Sequence, residues 1–493
     1  MSLFFSQLFI WVIIYSPIII LLLFLIPSNN LILIKRLSLI VSCFFFFLTS
    51  LLLFFYNISL FSLDSLWFKY QIITKVSYLW NIQYIFGLDG ISILLINLTT
   101  FLIPVCILIN IVSINYRFKE YVLMLFLLEF LLINTFSILN LFFFYIFFES
   151  VLIPMFIIIG IWGSRQRKIH AAYQFFLYTF FGSIFMLISI IIIYLHLGTT
   201  SYEFLLFSNF DKIYQKFLWF AIFFAFAIKV PMIPVHIWLP EAHVEAPTAG
   251  SVLLAGVLLK LGSYGILRFL LPIFLFGTYY YLPLAYTLCI IAIIYGSLTT
   301  LHQIDLKKII AYSSIVHMNF ALIGLFALNL EGVQGSIFLM LSHGVVSGAL
   351  FLCVGCLYDR YHTRIIKYFG GIVLAMPIFS VFFLIFTLAN IAFPGTSSFV
   401  GEFLIFLGIF KENITVGFLS AFGVILSACY SIWLYNRVIF RNIKLIYLFK
   451  FRDLKKTERF IFYPLIFLVF FMGIYPKFFL DITYMPVLRI ILL

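Results

Sequence analysis

The sequence is short of charge. Asp, Glu, Lys and Arg make up 10% of its 493 residues, against about 25% in soluble domains. So few charges cannot cover a water-soluble surface, which excludes the roughly three soluble domains that this length would otherwise suggest. DNA-binding, secreted disulfide-rich and disordered classes fall on the same composition. No long polar tract is present, so no extramembrane domain is expected; the largest polar stretch, 437–459, reads as a short basic surface helix. Cysteine is scarce too. Cys43, Cys106, Cys289, Cys353, Cys356 and Cys429 all lie inside apolar runs and read as small buried hydrophobes. Cys353-x-x-Cys356 lacks the second pair that a zinc or iron–sulfur site needs. There is no phosphate-cradling Gly loop and no βαβ unit to build around one.

What the sequence has is hydrocarbon. Hydrophobic residues account for 65% of it, with 66 Phe. This is the composition of an all-α integral membrane protein. A bilayer core takes about 20 apolar residues per helix, and that ruler gives fourteen spans: 3–26, 37–56, 85–113, 121–138, 139–161, 171–196, 217–239, 247–275, 280–299, 308–329, 333–357, 371–410, 414–436 and 460–480. The first lacks a charged n-region and a cleavage site, so it reads as a retained helix. The net charge of +13 follows from the gathering of Lys and Arg in inner loops. Loops after odd-numbered spans hold twenty cations, the other side seven, and Lys229, Lys260 and Arg268 fall inside spans. Both termini are therefore expected on the outer, positive-poor side.

A charge at mid-bilayer costs about 2.5–3.5 kcal/mol on insertion scales, so such residues are functional candidates. The strong ones are Glu149 in FFFYIFFESVLIPMF, Lys229 in FAFAIKVPMIP, Lys260 in VLLKLGSYG and Glu402 in SSFVGEFLIF. Glu129 is weaker, and Asp89 is placed near a membrane surface. His236, His317 and His343 add groups that titrate near neutral pH. Any one of these alone could be a polar plug between helices. A whole set of acids and bases held in low dielectric is what a proton relay requires. Arg268, toward the outer end of its span, reads as a snorkelling residue. Gly250, Gly256, Gly262 and Gly265 form a small-residue stripe for tight packing around Lys260.

Two spans are interrupted. The seventh carries Pro231, Pro234 and Pro240, each of which removes a donor from the helical ladder. The twelfth is broken at Pro394-Gly395. Broken helices at membrane depth face protein or a water-filled cavity. The breaks lie five spans apart, an odd number, so spans 4–8 and 9–13 run in opposite orientation, the arithmetic of an inverted repeat. The expected organisation is three N-terminal helices (1–113), a first five-helix repeat (121–275), a second inverted repeat (280–436), and a basic stretch with a final helix (437–493).

The segment 229–265, KVPMIPVHIWLPEAHVEAPTAGSVLLAGVLLKLGSYG, resembles chain 4 of the proton-pumping NADH:ubiquinone oxidoreductases (respiratory complex I), in its mitochondrially encoded form. FFESVLIPMFIIIGIWGSRQRKIHAAYQFFLYT, HQIDLKKIIAYSSIVHMNFALIGLF, LSHGVVSGALFL and TLANIAFPGTSSFVGEFLIF carry the same resemblance. It implies that Glu149 pairs with Lys229, that Lys260 is the central lysine, that His317 and His343 are polar links, and that Glu402 is the acid at the outlet. His236, Pro231, Pro234, Pro394 and Gly395 would support the broken helices. It further implies no metal and no cofactor in this chain, with NADH, FMN, iron–sulfur clusters and ubiquinone in other subunits. Neighbouring antiporter-like chains 2 and 5 and lipids such as cardiolipin would be its partners, not nucleic acid, in the mitochondrial inner membrane. The competing readings are a stand-alone cation/proton antiporter and a purely structural spacer. The topology is open to test: a protease site placed at Arg165–Lys168 is expected to stay uncut from the intermembrane side of intact mitoplasts, and cleavage there would reverse the assignment.

Overall fold

Backbone inside hydrocarbon must satisfy its own polar groups, so a spanning chain is limited to helices or closed barrels. This chain takes helices. The computed structural model describes residues 30–60, 70–72, 84–114, 116–440, 442–444 and 452–492, with positions 17 and 27. The expected first span, 3–26, therefore lies almost wholly outside the described residues. Among those described, eleven helices are long and apolar enough to cross a membrane.

In chain order the longer helices are α1 (Leu31–Leu60), α2 (Gly90–Ser113), α3 (Phe118–Ser137), α4 (Leu141–Ser150), α5 (Leu152–Trp162), α6 (Lys168–Leu197), α7 (Lys212–Lys229) and α8 (Trp238–Glu245). They continue as α9 (Thr248–Ile273), α10 (Leu275–His302), α11 (Leu306–Phe326), α12 (Leu330–Tyr361), α13 (Pro377–Asn390), α14 (Ser397–Glu412), α15 (Ile414–Ile439), α16 (Lys456–Ile474) and α17 (Lys477–Leu492). The helices α4 and α5 form a single span. Their junction at Val151 follows from Pro154, which has no N–H for the Ser150 carbonyl one turn back. A short antiparallel strand pair, β1 (Tyr70–Ile72) and β2 (Phe86–Leu88), is also present.

Starts are set by capping side chains. Asp89 accepts from Ser92 N (2.9 Å) and closes a capping box on α2. Asn140 accepts from Phe142 N (3.0 Å) at the head of α4 and from Thr200 Oγ1 (2.9 Å) across the chain. Asn329 and Asn413 cap α12 and α15 in the same way.

The longest helix, α12, forms the axis of the bundle. It packs against α2, α9, α11, α13, α14, α16 and α17, and like α9 it is buried along its length. The glycine stripe of α9 permits close packing against the end of α7. A Cβ at Gly262 of α9 would meet Val230 Cγ2 at 2.6 Å and Phe226 O at 3.1 Å. The loops gather in two sets at opposite ends of α6. At one end Ser164 N donates to Glu245 O (3.0 Å), Leu306 N to Arg364 O (2.9 Å), and Lys307 Nζ to Ala246 O (2.8 Å). At the other, Leu139 N donates to Ile85 O (2.9 Å) and Leu141 N to Thr200 O (3.0 Å).

Three expectations are corrected. The last span is Lys456–Ile474 and not 460–480, and a further helix, α17, follows it; Lys477, Asp481 and Arg489 dilute its apolar pattern. The basic stretch is not a surface helix where it is described: residues 442–444 and 452–455 are irregular. There Asp453 instead caps α13, accepting from Ile378 N (2.9 Å) and Phe379 N (3.3 Å). Arg360 of α12 meets Glu458 at 2.6 Å beside it. Finally Lys307 and Arg364, counted as loop cations, are buried. Since nothing at Gly262 can yield cheaply, Gly262→Val is expected to cost about 1–3 kcal/mol by overpacking, measured as a lowered midpoint for thermal dissociation of the assembled protein, with Gly262→Ala in between.

Candidate functional site

The first broken span places Lys229 at the last position of α7. The chain then turns through Val230–Ile237, where Pro231 and Pro234 leave carbonyls without helical partners, before α8 begins. Asn319 of α11 donates 3.4 Å to Pro231 O inside this break. Lys229 is 2% exposed, and its Nζ has no hydrogen-bond partner. It lies 4.2 Å above the ring of Phe148, the residue before Glu149. The implied Glu149–Lys229 pair is thus not in direct contact. The two groups remain close enough for their charges to interact, with Ser183 beside the carboxylate. His236 is buried against Tyr295 and Tyr312, with ring centroids 6.2 Å from each, and stands apart from the residues below.

The second element is α9, which winds through two π-helical turns, Leu254–Leu258 and Ile266–Leu270, on either side of Lys260. Such turns free a carbonyl from the α-helical ladder. Lys260, 0% exposed, donates to Ala255 O in the first of them (2.5 Å). Its Nζ also lies 2.8 Å from His343 Nδ1 on α12. The His343 and His317 rings are 6.0 Å apart, and His317 Nδ1 lies 3.2 Å from Glu402 Oε1. A cavity of about 10 Å³, measured as space for the centre of a water molecule and so about one water in size, is lined by both rings with Asn390 and Ser398.

Glu402 sits in the second half of the other broken span. Its break, 391–396, contains two left-handed residues, Ala392 (φ 63°) and Gly395 (φ 90°). Only glycine adopts that backbone cheaply. Pro394 begins the turn into α14, and Ser398 Oγ ties back to Ala389 O (2.6 Å). Glu402 is the sixth residue of α14, beyond the first turn where a helix N-terminus acts, so His317 is its partner.

Arg268 does not snorkel. It is buried and meets Asp89 at 2.5 Å, with Tyr264 Oη 3.3 Å from its Nε. The pair joins α9 to the cap of α2 across 179 residues of sequence, which no local pattern reveals. Glu129 is more deeply placed than its weak signal implied: it is 1% exposed and both carboxylate oxygens lack partners. Asn319 and Asn390 went unnoticed because uncharged polar residues are common in membrane helices. His243, Glu245, Lys307 and Arg364 form a second buried cluster at the end of α8; their polar local sequence read as a loop.

These residues lie within a stretch, 139–429, that matches the model for the transmembrane part of NADH:quinone oxidoreductase/Mrp antiporters. The chain belongs to that family. It is 58% identical over 425 residues to the NADH-ubiquinone oxidoreductase chain 4 of Marchantia polymorpha, covering 86% of both chains. A chain of the respiratory complex I from Thermus thermophilus with bound NADH superposes with a TM-score of 0.84 at 27% identity, covering 98% of this chain and 99% of that one. The Mrp complex from Dietzia sp. DQ12-45-1b shares the fold, with a TM-score of 0.86 at 17% identity over 99% and 97% of the two chains. The chain-4 resemblance of the sequence is thereby established, as is an antiporter-like, multi-pass helical membrane fold.

Removing one partner of a buried ion pair costs about 3–5 kcal/mol, whereas replacing both with apolar residues is often neutral. Asp89→Ala is therefore expected to lower the amount of assembled protein sharply, and Asp89→Ala with Arg268→Leu to restore most of it, read on native gels.

Proposed function

We propose that the buried polar line through Lys229, Lys260, His343, His317 and Glu402 is the route by which this subunit moves protons. The chain is an antiporter-like membrane subunit of chain-4 type in NADH:ubiquinone oxidoreductase. Redox chemistry belongs to other subunits, and this chain is assigned no metal or cofactor of its own. The observation that carries the reading is the Lys260–His343–His317–Glu402 line, in which ionisable side chains from four helices follow one another through the interior.

Lys229 takes a proton, its ammonium steadied by the Phe148 face, a contact worth about 2 kcal/mol when desolvated. Glu149 acts on it through space. Drawing that carboxylate closer or pushing it away changes how firmly Lys229 holds its proton. A change of one charge pair at about 4 Å and an effective dielectric near 20 is worth about 4 kcal/mol, more than the roughly 2.3 kcal/mol needed to move one charge against 100 mV. The proton that Lys229 releases moves on to Lys260 and from there to His343; a water in the cavity between the rings carries it to His317 and so to Glu402. His236 and Pro231, Pro234, Pro394 and Gly395 hold the breaks open. We place this machinery in fourteen spans, with 1–113 as N-terminal helices, 121–275 and 280–436 as inverted repeats, and 437–493 as the closing segment. Both termini face the intermembrane space of the mitochondrial inner membrane. The neighbouring antiporter-like chains 2 and 5 flank it, with lipids such as cardiolipin.

Glu149→Ala is expected to assemble but lose most proton pumping, while Glu149→Asp keeps a measurable part; full pumping by the Ala variant would refute the role. At the far end, Glu402→Gln is expected to lose translocation and Glu402→Lys to retain more of it. Parental pumping in both would make Glu402 structural. Each is read as protons moved per NADH oxidised in vesicles.

A further inference from the structure

The helix α9 is tied to α2 at both of its ends. At the first, Thr248 Oγ1 donates to Asn110 Oδ1 (3.3 Å) and Cys106 Sγ donates to Ala249 O (3.8 Å). At the other, Arg268 Nη2 meets Asp89 Oδ2 at 2.5 Å. Asp89 is itself fixed, because its other carboxylate oxygen accepts from Ser92 N and its own N–H donates to Ser92 Oγ (2.8 Å). Arg268 Nε also donates to Tyr264 Oη (3.3 Å), which donates in turn to Phe136 O of α3 (2.9 Å). An ion pair that only joined two helices would serve as well from regular helix. Arg268 instead occupies the middle of the second π turn, Ile266–Leu270, which is closed by Leu271 N donating to Ile266 O.

Each π turn holds one residue more than the α-helical ladder needs. In an α-helix one residue turns the chain by about 100°. If the extra residue of the second turn moved up to the first, the segment between them, Leu259–Gly265, would rotate by about that amount while both ends of α9 stayed in place. Lys260 is in that segment. Its Nζ lies 2.8 Å from His343 Nδ1 and donates to Ala255 O, and neither contact survives such a rotation. Every residue of the segment is buried, so no division into a polar and an apolar face sets its orientation. Something at the end of the segment has to hold the turn where it is.

We infer that Asp89 and Arg268 are positioning residues for proton transfer: by pinning the second π turn of α9, the pair keeps Lys260 aimed at His343. The inference rests on the proton route proposed above and adds to it the contact that orients its central residue. The two side chains of the pair carry no proton themselves.

Pumping is read apart from assembly. Asp89→Ala with Arg268→Leu removes both charges, and assembled complex in vesicles is assayed for protons moved per NADH oxidised. Asp89→Asn with Arg268→Met asks the same question if the first pair fails to assemble, since Asn still caps α2. Most pumping is expected to be lost, while Arg268→Lys, which keeps an ion pair, is expected to retain most of it. Deleting Leu267 in the charge-free variant takes the extra residue out of the second π turn and leaves an α-helix whose two flanks keep their original orientation. That deletion is expected to restore a large part of the pumping, which a role of the pair in stability alone would not produce. Parental pumping in the charge-free variants overturns the inference, as does an assembled deletion variant that pumps no better than the variant it was made in. Lys260→Ala is run alongside. If it stops pumping while the charge-free pair does not, only the positioning claim falls; if it also pumps like the parent, the proposed route falls with it.

Discussion

A charged group inside a hydrocarbon-thick bundle has nowhere to find solvent, and the whole interior is arranged around that cost. Each buried cation has a different answer. Arg268 is neutralised by Asp89. Lys260 receives a backbone carbonyl and an imidazole. Lys229 receives only an aromatic face and a carboxylate at a distance. This grading separates architecture from mechanism: the fully paired group is a clamp, and the under-served one can change state at small cost.

The carbonyl that serves Lys260 comes from damaged helix. An unbroken α-helix spends all its interior acceptors on its own ladder. The breaks at 230–237 and 391–396 and the π turns of α9 release a few of them where the ionisable residues lie. Proline, glycine and a left-handed Ala392 are therefore matched to Lys229, Lys260 and Glu402 in position. The strain of a break is repaid by the polar surface it exposes to the interior.

This explains what could be read in the sequence. Helices follow from apolar runs of bilayer length, breaks from Pro231, Pro234, Pro394 and Gly395, and the central residues from charges stranded in hydrocarbon. All are local signals. Asp89 and Arg268 meet across 179 residues of sequence, and their charges read as surface features because each lies near the end of an apolar run. His243, Glu245, Lys307 and Arg364 sit in polar sequence typical of a loop, and only the folded chain shows them packed beneath it. Whether Glu149 touches Lys229 is a matter of rotamers, which no spacing rule specifies.

The cavity between His317 and His343 has a bearing on selectivity. It is about one water in size, and its walls are Leu339, Val346 and two imidazoles alongside Asn390 and Ser398. A metal cation crossing such a place would have to shed nearly its whole hydration shell with few oxygens to replace it. A proton crosses differently: bonds are made at one end of the line and broken at the other, and no nucleus travels the length. On the proposed route, the tight packing around α12 would thus act as a sieve by mass transport, closed to any ion that must move as a body and open to the one that need not.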